Sequence, residues 1–314
     1  MGELTIARER FEQSLALYRP EMHDSQIAQY GTDLGVAGHC YHALTLWHLG
    51  YPDQAVEESY RSITLAQDGA HPFSQAYALF VSAWVHHLRR DVSATQTQAE
   101  AAIRLATEQE LPYWAALSGL MRGWSLVLQG EGTAGITEIA QSLAAVRTLG
   151  QKMSGTLLLS MLAEAYGRNG QREAEQTVLT EALELVDEND ERAYDARVYQ
   201  LQGELSLQGK EAQFEEAEAS FQKALNVARQ QEAKSFELRA ATSLARLWQR
   251  QGKTTEAHEL LTPVYNWFTE GFDTADLKDA KAWHCQLIDA DTSMRQRSES
   301  SASLSSLMRP VPCP

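Results

Sequence analysis

Turn signals recur about every 40 residues along the chain, and each lies between two segments with the hydrophobic periodicity of α-helices. In the second helix of each pair, small and large residues recur at helical spacing, as in FEEAEASFQKALNVA with Ala217, Phe221, Ala224 and Leu225. Small residues let two helices approach closely, and the large residue fills the groove between neighbours. The pattern predicts an all-α array of helix-turn-helix repeats. The turn signals fall at Gly50, Arg90, Gly130, Gly170, Gly209 and Gly252.

This alternation, with Leu162, Ala163, Tyr166 and Gly170 in LAEAYGRNG, resembles the tetratricopeptide repeat (TPR) superfamily. The resemblance implies a right-handed superhelix of TPR-like hairpins, an α-solenoid, with a concave groove for a protein or peptide ligand. The period exceeds the usual TPR length of about 34 residues, which requires longer helices or longer loops between repeats. Arg90 and Glu175 also depart from the pattern, since they stand where Gly and a small residue are expected.

We divide the chain into a repeat array over residues 1–288 and a Ser-rich tail over 289–314, which we expect to be disordered. The array comprises a partial first repeat at 1–19, six repeats at about 35–268 and a capping helix at about 274–288.

The N-terminal segment GELTIARERF supplies a turn and a second helix whose first helix is missing. We therefore expect that upstream sequence has been removed or lost. An unpaired helix would expose the apolar side chains of Phe11 and Leu15, which predicts weak self-association through the N-terminal helix.

Four longer segments sharpen the resemblance. They resemble the C-terminal TPR region of bacterial signalling ATPases, in which a class III adenylate/guanylate cyclase-type domain and a P-loop ATPase module precede the repeats. The resemblance implies a sensor or regulatory region with ATPase and cyclase domains in cis; a stand-alone peptide or small-ligand receptor of the TPR regulator type is the alternative. The segments are YGTDLGVAGHCYHALTLWHLGYPDQA, LPYWAALSGLMRGWSLVLQGE, KSFELRAATSLARLWQRQGK and LLTPVYNWFTEGFDTADLKDAKAW.

Composition excludes several classes of partner. The formal charge of -15 opposes binding to nucleic acid or to an anionic membrane, because both need a clustered basic face. No apolar stretch approaches the roughly 20 residues that span a bilayer. Three widely separated cysteines, Cys40, Cys285 and Cys313, fit a reducing compartment. We expect a cytoplasmic protein.

The residues that could carry chemistry favour no catalytic or metal site. The segment HCYH places His39 and His42 on one helical face, but Cys40 points about 100° away, and we interpret the histidines as packed between helices. His86 and His87 face different sides of one helix. No phosphate loop of the form G-x-x-x-x-G-K-[ST] occurs, and no nucleophile has a base at an interpretable spacing. We expect a non-enzyme without cofactor or metal.

The first helix of each repeat is expected to line the concave groove. Extrapolation from the turns predicts an aromatic N-terminal half and a charged C-terminal half, which would suit a ligand with an apolar anchor and acidic groups. Whether the Trp residues belong to the groove or to the core stays open, since one residue of helical phase turns a side chain by about 100°. The predicted lining residues are Trp47, His48, Phe80, Trp84, His87, Trp124, Arg168, Arg197, Glu204, Arg239, Arg246 and Arg250.

Three of these arginines, Arg239, Arg246 and Arg250, share one face of one helix by their spacing. Like charges at such spacings repel each other. The stripe is therefore either a solvated face with acidic neighbours such as Glu204, or a site for a carboxylate-rich or phosphorylated partner.

Overall fold

The computed structural model describes residues 3–150, 155–188, 192–208 and 212–285. Over these ranges the chain is helical and forms no strand. The predicted all-α solenoid of TPR-like repeats is confirmed. The helices are α1 (Leu4–Leu17), a 3-10 turn (Pro20–Met22), α2 (His23–Tyr30), α3 (Leu34–His48), α4 (Pro52–Asp68), α5 (Pro72–Leu88), α6 (Val92–Glu108), α7 (Pro112–Leu128), α8 (Gly132–Thr148), α9 (Gly155–Arg168), α10 (Arg172–Glu188), α11 (Asp195–Ser206), α12 (Phe214–Gln230), α13 (Lys234–Arg250), α14 (Thr254–Asn266) and α15 (275–285).

Long helices, and not long loops, account for the 40-residue period. Helices α4 to α8 are each 17 residues long. From α4 to α8, a linker of three residues joins each helix to the next, as at 69–71 and 89–91. Proline occupies the first position of α4, α5 and α7, where its missing N–H costs no helical hydrogen bond.

Each predicted turn that the structure describes contains a residue in the left-handed backbone region. The φ angles are 90° at Gly50, 61° at Arg90, 95° at Gly130 and 70° at Gly170. The chain then closes the helix with a bond from the next N–H, such as Tyr51 N–H to the carbonyl oxygen of Leu46 at 2.9 Å. Arg90 adopts this conformation although a side chain there costs free energy. The turn at Gly209 lies outside the described residues.

The crossing of α7 and α8 shows the close approach that small residues permit. A Cβ atom added at Gly135 would lie 2.8 Å from the backbone nitrogen of Val127 and closer still to the carbonyl oxygen of Gly123. A Cβ added at Gly123 would in turn lie 2.8 Å from the carbonyl oxygen of Gly135. The two backbones are therefore in direct contact at this point, and only glycine fits on either side.

The first helices of the repeats form a closed inner ring. Helices α3, α5, α7, α9, α11 and α13 each contact the next one, and α13 contacts α3. At this junction the hydroxyl of Ser235 donates to the carbonyl oxygen of Trp47 at 2.6 Å. Gly50 lies against the side chains of Lys234, Trp267 and Phe268. The last repeat is therefore packed against the first.

The segment after α14 reinforces this closure. Glu270 accepts hydrogen bonds from the backbone N–H of Asp53 at 2.9 Å and of Gln54 at 3.1 Å. Asp53 in turn accepts from the N–H of Gly271 at 2.9 Å and pairs with Arg89 at 2.7 Å. Helix α15 lies within the segment predicted as the capping helix, whose end and the predicted tail lie outside the described residues.

The apolar face of the N-terminal helix, which was expected to be exposed, contacts another helix. Helix α1 packs against α3, where Phe11 stacks on Tyr41 at a centroid distance of 5.9 Å and Leu15 lies beside Gly38. The prediction of an exposed face at Phe11 and Leu15 is therefore wrong, because α3 supplies the missing partner. Ile6 and Leu17 are the exposed large apolar side chains of α1. None of the described helices is both long and apolar enough to cross a membrane.

Candidate functional site

The inner ring encloses a cavity of about 310 Å³. Its walls come from the ring helices α5, α7, α9, α11 and α13, with contributions from α10 and α15. These ring helices are first helices of their repeats, the helices that the sequence predicted to line the groove. Charged lining residues of both signs are present: Arg90, Arg168, Arg197, Arg239 and Arg246, and Glu164, Glu175, Glu204, Asp276 and Asp279.

Glu164 is the centre of one charged cluster in the cavity. It pairs with Arg197 at 2.9 Å and with Arg168 at 3.0 Å, and it accepts a long hydrogen bond from the indole N–H of Trp124 at 3.4 Å. Burial opposes ionisation, but the two guanidinium groups hold the pKa of Glu164 well below its usual range. Glu164 is therefore a carboxylate shared by two arginines.

A second cluster joins the cavity to the closure of the ring. Asp276 accepts from Arg239 at 2.8 Å and pairs with Arg90 at 3.3 Å. Asp279 pairs with Arg90 at 3.0 Å and lies 3.6 Å from Arg246. Burial lowers the pKa of Arg90, but the two aspartates more than offset this effect and raise it. Three arginines here share two carboxylates, and Arg90 gains ion pairs that a turn glycine could not make.

The surroundings of Glu175 explain why a large residue occupies a position where the repeat pattern expects a small one. A Cβ atom added at Gly167 would lie 2.7 Å from the Glu175 carboxylate, so the absent side chain of Gly167 makes room for the large one of Glu175. Glu175 is 1% exposed and accepts a hydrogen bond from the amide of Gln208 at 3.1 Å. Burial raises its pKa to about 7, and the neighbouring Glu204 adds to the shift.

The aromatic half of the predicted groove is filled by the far side of the ring. Phe236 packs edge-on against Trp47 at a centroid distance of 5.2 Å, and Tyr194 contacts His48 at 5.4 Å. Tyr194 also stacks on Trp84 at 6.0 Å. Burial lowers the pKa of His48 to about 4, so its ring is neutral near pH 7. Because the ring is closed, these aromatic side chains belong to the hydrophobic core and not to an open groove.

The twelve predicted lining residues separate into two groups. Five do not line the cavity: Trp47, His48, Phe80 and Trp84 are buried, and Arg250 lies outside the cavity over the ring of Phe214 at 5.5 Å. Seven line it together: His87, Trp124, Arg168, Arg197, Glu204, Arg239 and Arg246.

The three arginines of the predicted stripe therefore occupy different environments. Arg239 is bound to Asp276, Arg246 faces the cavity near Asp279, and Arg250 lies on Phe214. The acidic neighbours of Arg239 and Arg246 come from α15, not from Glu204.

Sequence reasoning missed Glu164, Asp276 and Asp279 as lining residues. It noted Arg90 and Glu175 only as departures from the repeat pattern, yet both line the cavity. Their charge was the available signal, because the repeat usually has glycine or a small side chain at these two positions.

The histidines behave as the spacing predicted. His86 lies against Tyr60 at a centroid distance of 5.8 Å, whereas His87 packs edge-on against Trp124 at 4.5 Å, so the two face different sides. His39 contacts Glu58 through Nδ1 at 2.6 Å, and His42 lies 3.3 Å from the same carboxylate. Among the described residues, no group of three His, Cys, Asp or Glu side chains is arranged to hold a metal ion.

Solved structures share the fold of this chain at low sequence identity. No protein-family model matches it, and no curated protein matches its sequence. The apo form of RapI matches over 94% of this chain and 99% of its own, at 9% identity and a TM-score of 0.55. A Rap protein in complex with competence and sporulation factor matches over 94% and 86%, at 13% identity and a TM-score of 0.58. The chain shares the fold of these Rap proteins.

Glu175→Gln is expected to raise stability at alkaline pH. Because the folded-state pKa of about 7 exceeds the ordinary value of 4.5, the carboxyl stabilises the fold below pH 4.5 and loses this contribution as the pH rises through 7. The neutral, isosteric amide avoids the loss, which predicts roughly 1 to 3 kcal/mol of added stability at pH 8, shrinking toward pH 4.5. Urea unfolding at both pH values measures the difference, and equal stability at pH 8 would contradict the burial argument.

Proposed function

We propose that the chain is a non-catalytic, cytoplasmic regulatory module that binds a peptide or small ligand in the cavity of the inner ring. The charge-lined cavity carries this proposal. Its volume of about 310 Å³ lies at the lower end of the range of about 300 to 1,000 Å³ found for ligand sites. The resemblance to TPR proteins and the complex of a Rap protein with competence and sporulation factor support it.

Filling the cavity tests this proposal. Ser243 lines the cavity from α13 and is half-buried, so Ser243→Trp is expected to occupy the ligand's space without disturbing the core. Ser93→Trp places the same side chain on the exposed face of α6 as the matched control. Wild type, variant and control are incubated with the low-molecular-weight fraction of a bacterial lysate and examined by native mass spectrometry.

We expect a bound component in the wild type and the control and its loss in Ser243→Trp, with similar melting temperatures for all three. Binding that survives in Ser243→Trp would place the ligand elsewhere. Absence of any bound component in the wild type would contradict the proposed function.

The wider context follows from sequence resemblance. We propose that the chain is the sensor region of a larger cyclase/ATPase-type signalling protein, and the alternative is a stand-alone receptor. The match over nearly the full length of the Rap chains supports the alternative. The gene sequence upstream of Met1 distinguishes them. An in-frame ATPase or cyclase domain supports the sensor region, and an independent promoter and ribosome-binding site support the receptor.

A further inference from the structure

The charges of the cavity are unevenly paired, and one side has an excess of negative charge. Among the described residues, no Lys or Arg forms an ion pair or hydrogen bond with Glu175 or Glu204. Each accepts a hydrogen bond from a neutral amide instead, Glu175 from Gln208 and Glu204 from Gln200, both at 3.1 Å. Arg172, whose charge acts on Glu175, donates to the carbonyl oxygen of Gln208. The charge of Arg197, which is bound to Glu164, acts on Glu204 without an ion pair between them. Two neighbouring carboxylates thus face the cavity without a cation bound directly to them.

Another side has an excess of positive charge. Arg246 reaches the cavity from α13, and its only ion pair in the described part of the chain is the 3.6 Å contact with Asp279. Its Nε is buried without a hydrogen-bond partner. Asp279 is already bound at 3.0 Å by Arg90, and the other contact of the Arg246 guanidinium is the ring of Trp283 at 5.3 Å, so Arg246 has no carboxylate of its own among the described residues.

Glu175 occupies a position built for its carboxyl group. The side chain is 1% exposed, Gly167 leaves the space it fills, and Gln208 orients it. An unpaired buried charge is costly, so such a group either holds a proton or meets a cation. The cavity beside it offers room for a cation that the chain itself does not supply.

We propose that the cavity binds a small zwitterion, with the ammonium or guanidinium group of the ligand between Glu175 and Glu204 and its carboxylate at Arg246. The inference rests on the proposed function and specifies its ligand class. The cavity volume of about 310 Å³ accommodates an amino acid, its derivative or a short peptide with free ends. Planar bidentate binding of a carboxylate suits the guanidinium of Arg246.

Defined probes test this ligand class. The twenty free amino acids and an equimolar library of tripeptides with free ends are dialysed against the protein, and retained compounds are identified by mass spectrometry. Matched libraries carry an acetylated N-terminus, an amidated C-terminus or both. We expect retention of compounds with both charges and a loss of affinity of about 10- to 100-fold for each capped end, as for other charged hydrogen bonds.

Variants with matched controls test which residues bind each end of the ligand. Glu175→Gln with Glu204→Gln should weaken binding of the retained compound at least as much as the N-terminal cap does. The control removes two charges from the exposed face of α10, with Glu173→Gln and Glu184→Gln, and should leave affinity unchanged.

For the other end, Arg246→Gln should abolish the preference for a free over an amidated C-terminus. Arg250→Gln, on the same helix but outside the cavity, should keep this preference.

A second readout is proton release. A ligand cation beside Glu175 displaces the proton of its carboxyl group, so titration calorimetry near pH 7 should give heats that depend on the buffer's ionisation enthalpy.

Each outcome decides the inference. Equal retention of doubly capped tripeptides, lost in Ser243→Trp, would overturn the zwitterion and leave the proposed function intact. Unchanged affinity in the Glu175→Gln/Glu204→Gln variant would overturn the cation site. Retention of no amino acid or tripeptide at millimolar concentration would overturn the ligand class, while the lysate experiment still decides the proposed function.

Discussion

Arg239→Leu is expected to open the inner ring and to lower the free energy of unfolding by about 3 to 5 kcal/mol, as for other broken buried ion pairs. Its guanidinium pairs with Asp276 at 2.7 Å, donates to the carbonyl oxygen of Leu88 and lies 4.9 Å above the ring of Trp47. One side chain on α13 thus binds α15, the end of α5 and α3. Leucine keeps apolar contact but leaves the half-buried carboxylate of Asp276 and the carbonyl oxygen of Leu88 without this partner.

Arg250→Leu is the matched control, because Arg250 lies on the same helix with an exposed side chain. We expect it to change stability by no more than about 0.5 kcal/mol. Urea unfolding measures both variants, and small-angle scattering measures the radius of gyration, which should increase only in Arg239→Leu. If Arg239→Leu has the stability and the radius of gyration of the wild type, other contacts hold the ring closed.

Gly135→Ala is expected to destabilise the chain by about 1 to 3 kcal/mol, although alanine is the better helix former. The added methyl group would meet backbone atoms of Gly123 and Val127 on α7. Backbone atoms in two rigid helices cannot rotate away as side chains do, so α7 and α8 must move apart. Thermal unfolding measured by circular dichroism checks this prediction.

Gly132→Ala provides the control on the same helix. There the added methyl would meet only the side chain of Asn169, which can turn aside. We expect Gly132→Ala to leave the melting temperature within a few degrees of wild type or to raise it slightly. If both variants behave alike, close backbone approach at Gly135 does not limit the packing.

The local parts of this fold could be predicted from the sequence. The turn at Gly50 and the helix pair around it follow from hydrophobic periodicity and from glycine's preference for the left-handed region. The small residues Ala217 and Ala224 of the second helices are fully buried, as the alternation of small and large positions predicted. All of these features depend on residues close together in the chain.

The closed ring could not be predicted, because its contacts join residues far apart in sequence. Trp47 does lie on the inner side of α3, but Phe236 from α13 covers it. Whether a solenoid curves enough to bring such residues together depends on small rotations that add up over every repeat. The charged cavity wall has the same origin, since Asp276 is placed beside Arg90 only after the ring has closed.

The contact between α13 and α3 changes how the whole chain unfolds. In a linear solenoid each repeat touches only its neighbours, so terminal repeats fray independently and repeats can be removed one at a time. A circular arrangement has no such ends, because deleting any one repeat breaks two interfaces and separates the residues that seal the junction. The helices of the ring should therefore be lost in one cooperative transition, and opening new chain ends elsewhere in the circle should be better tolerated than shortening it.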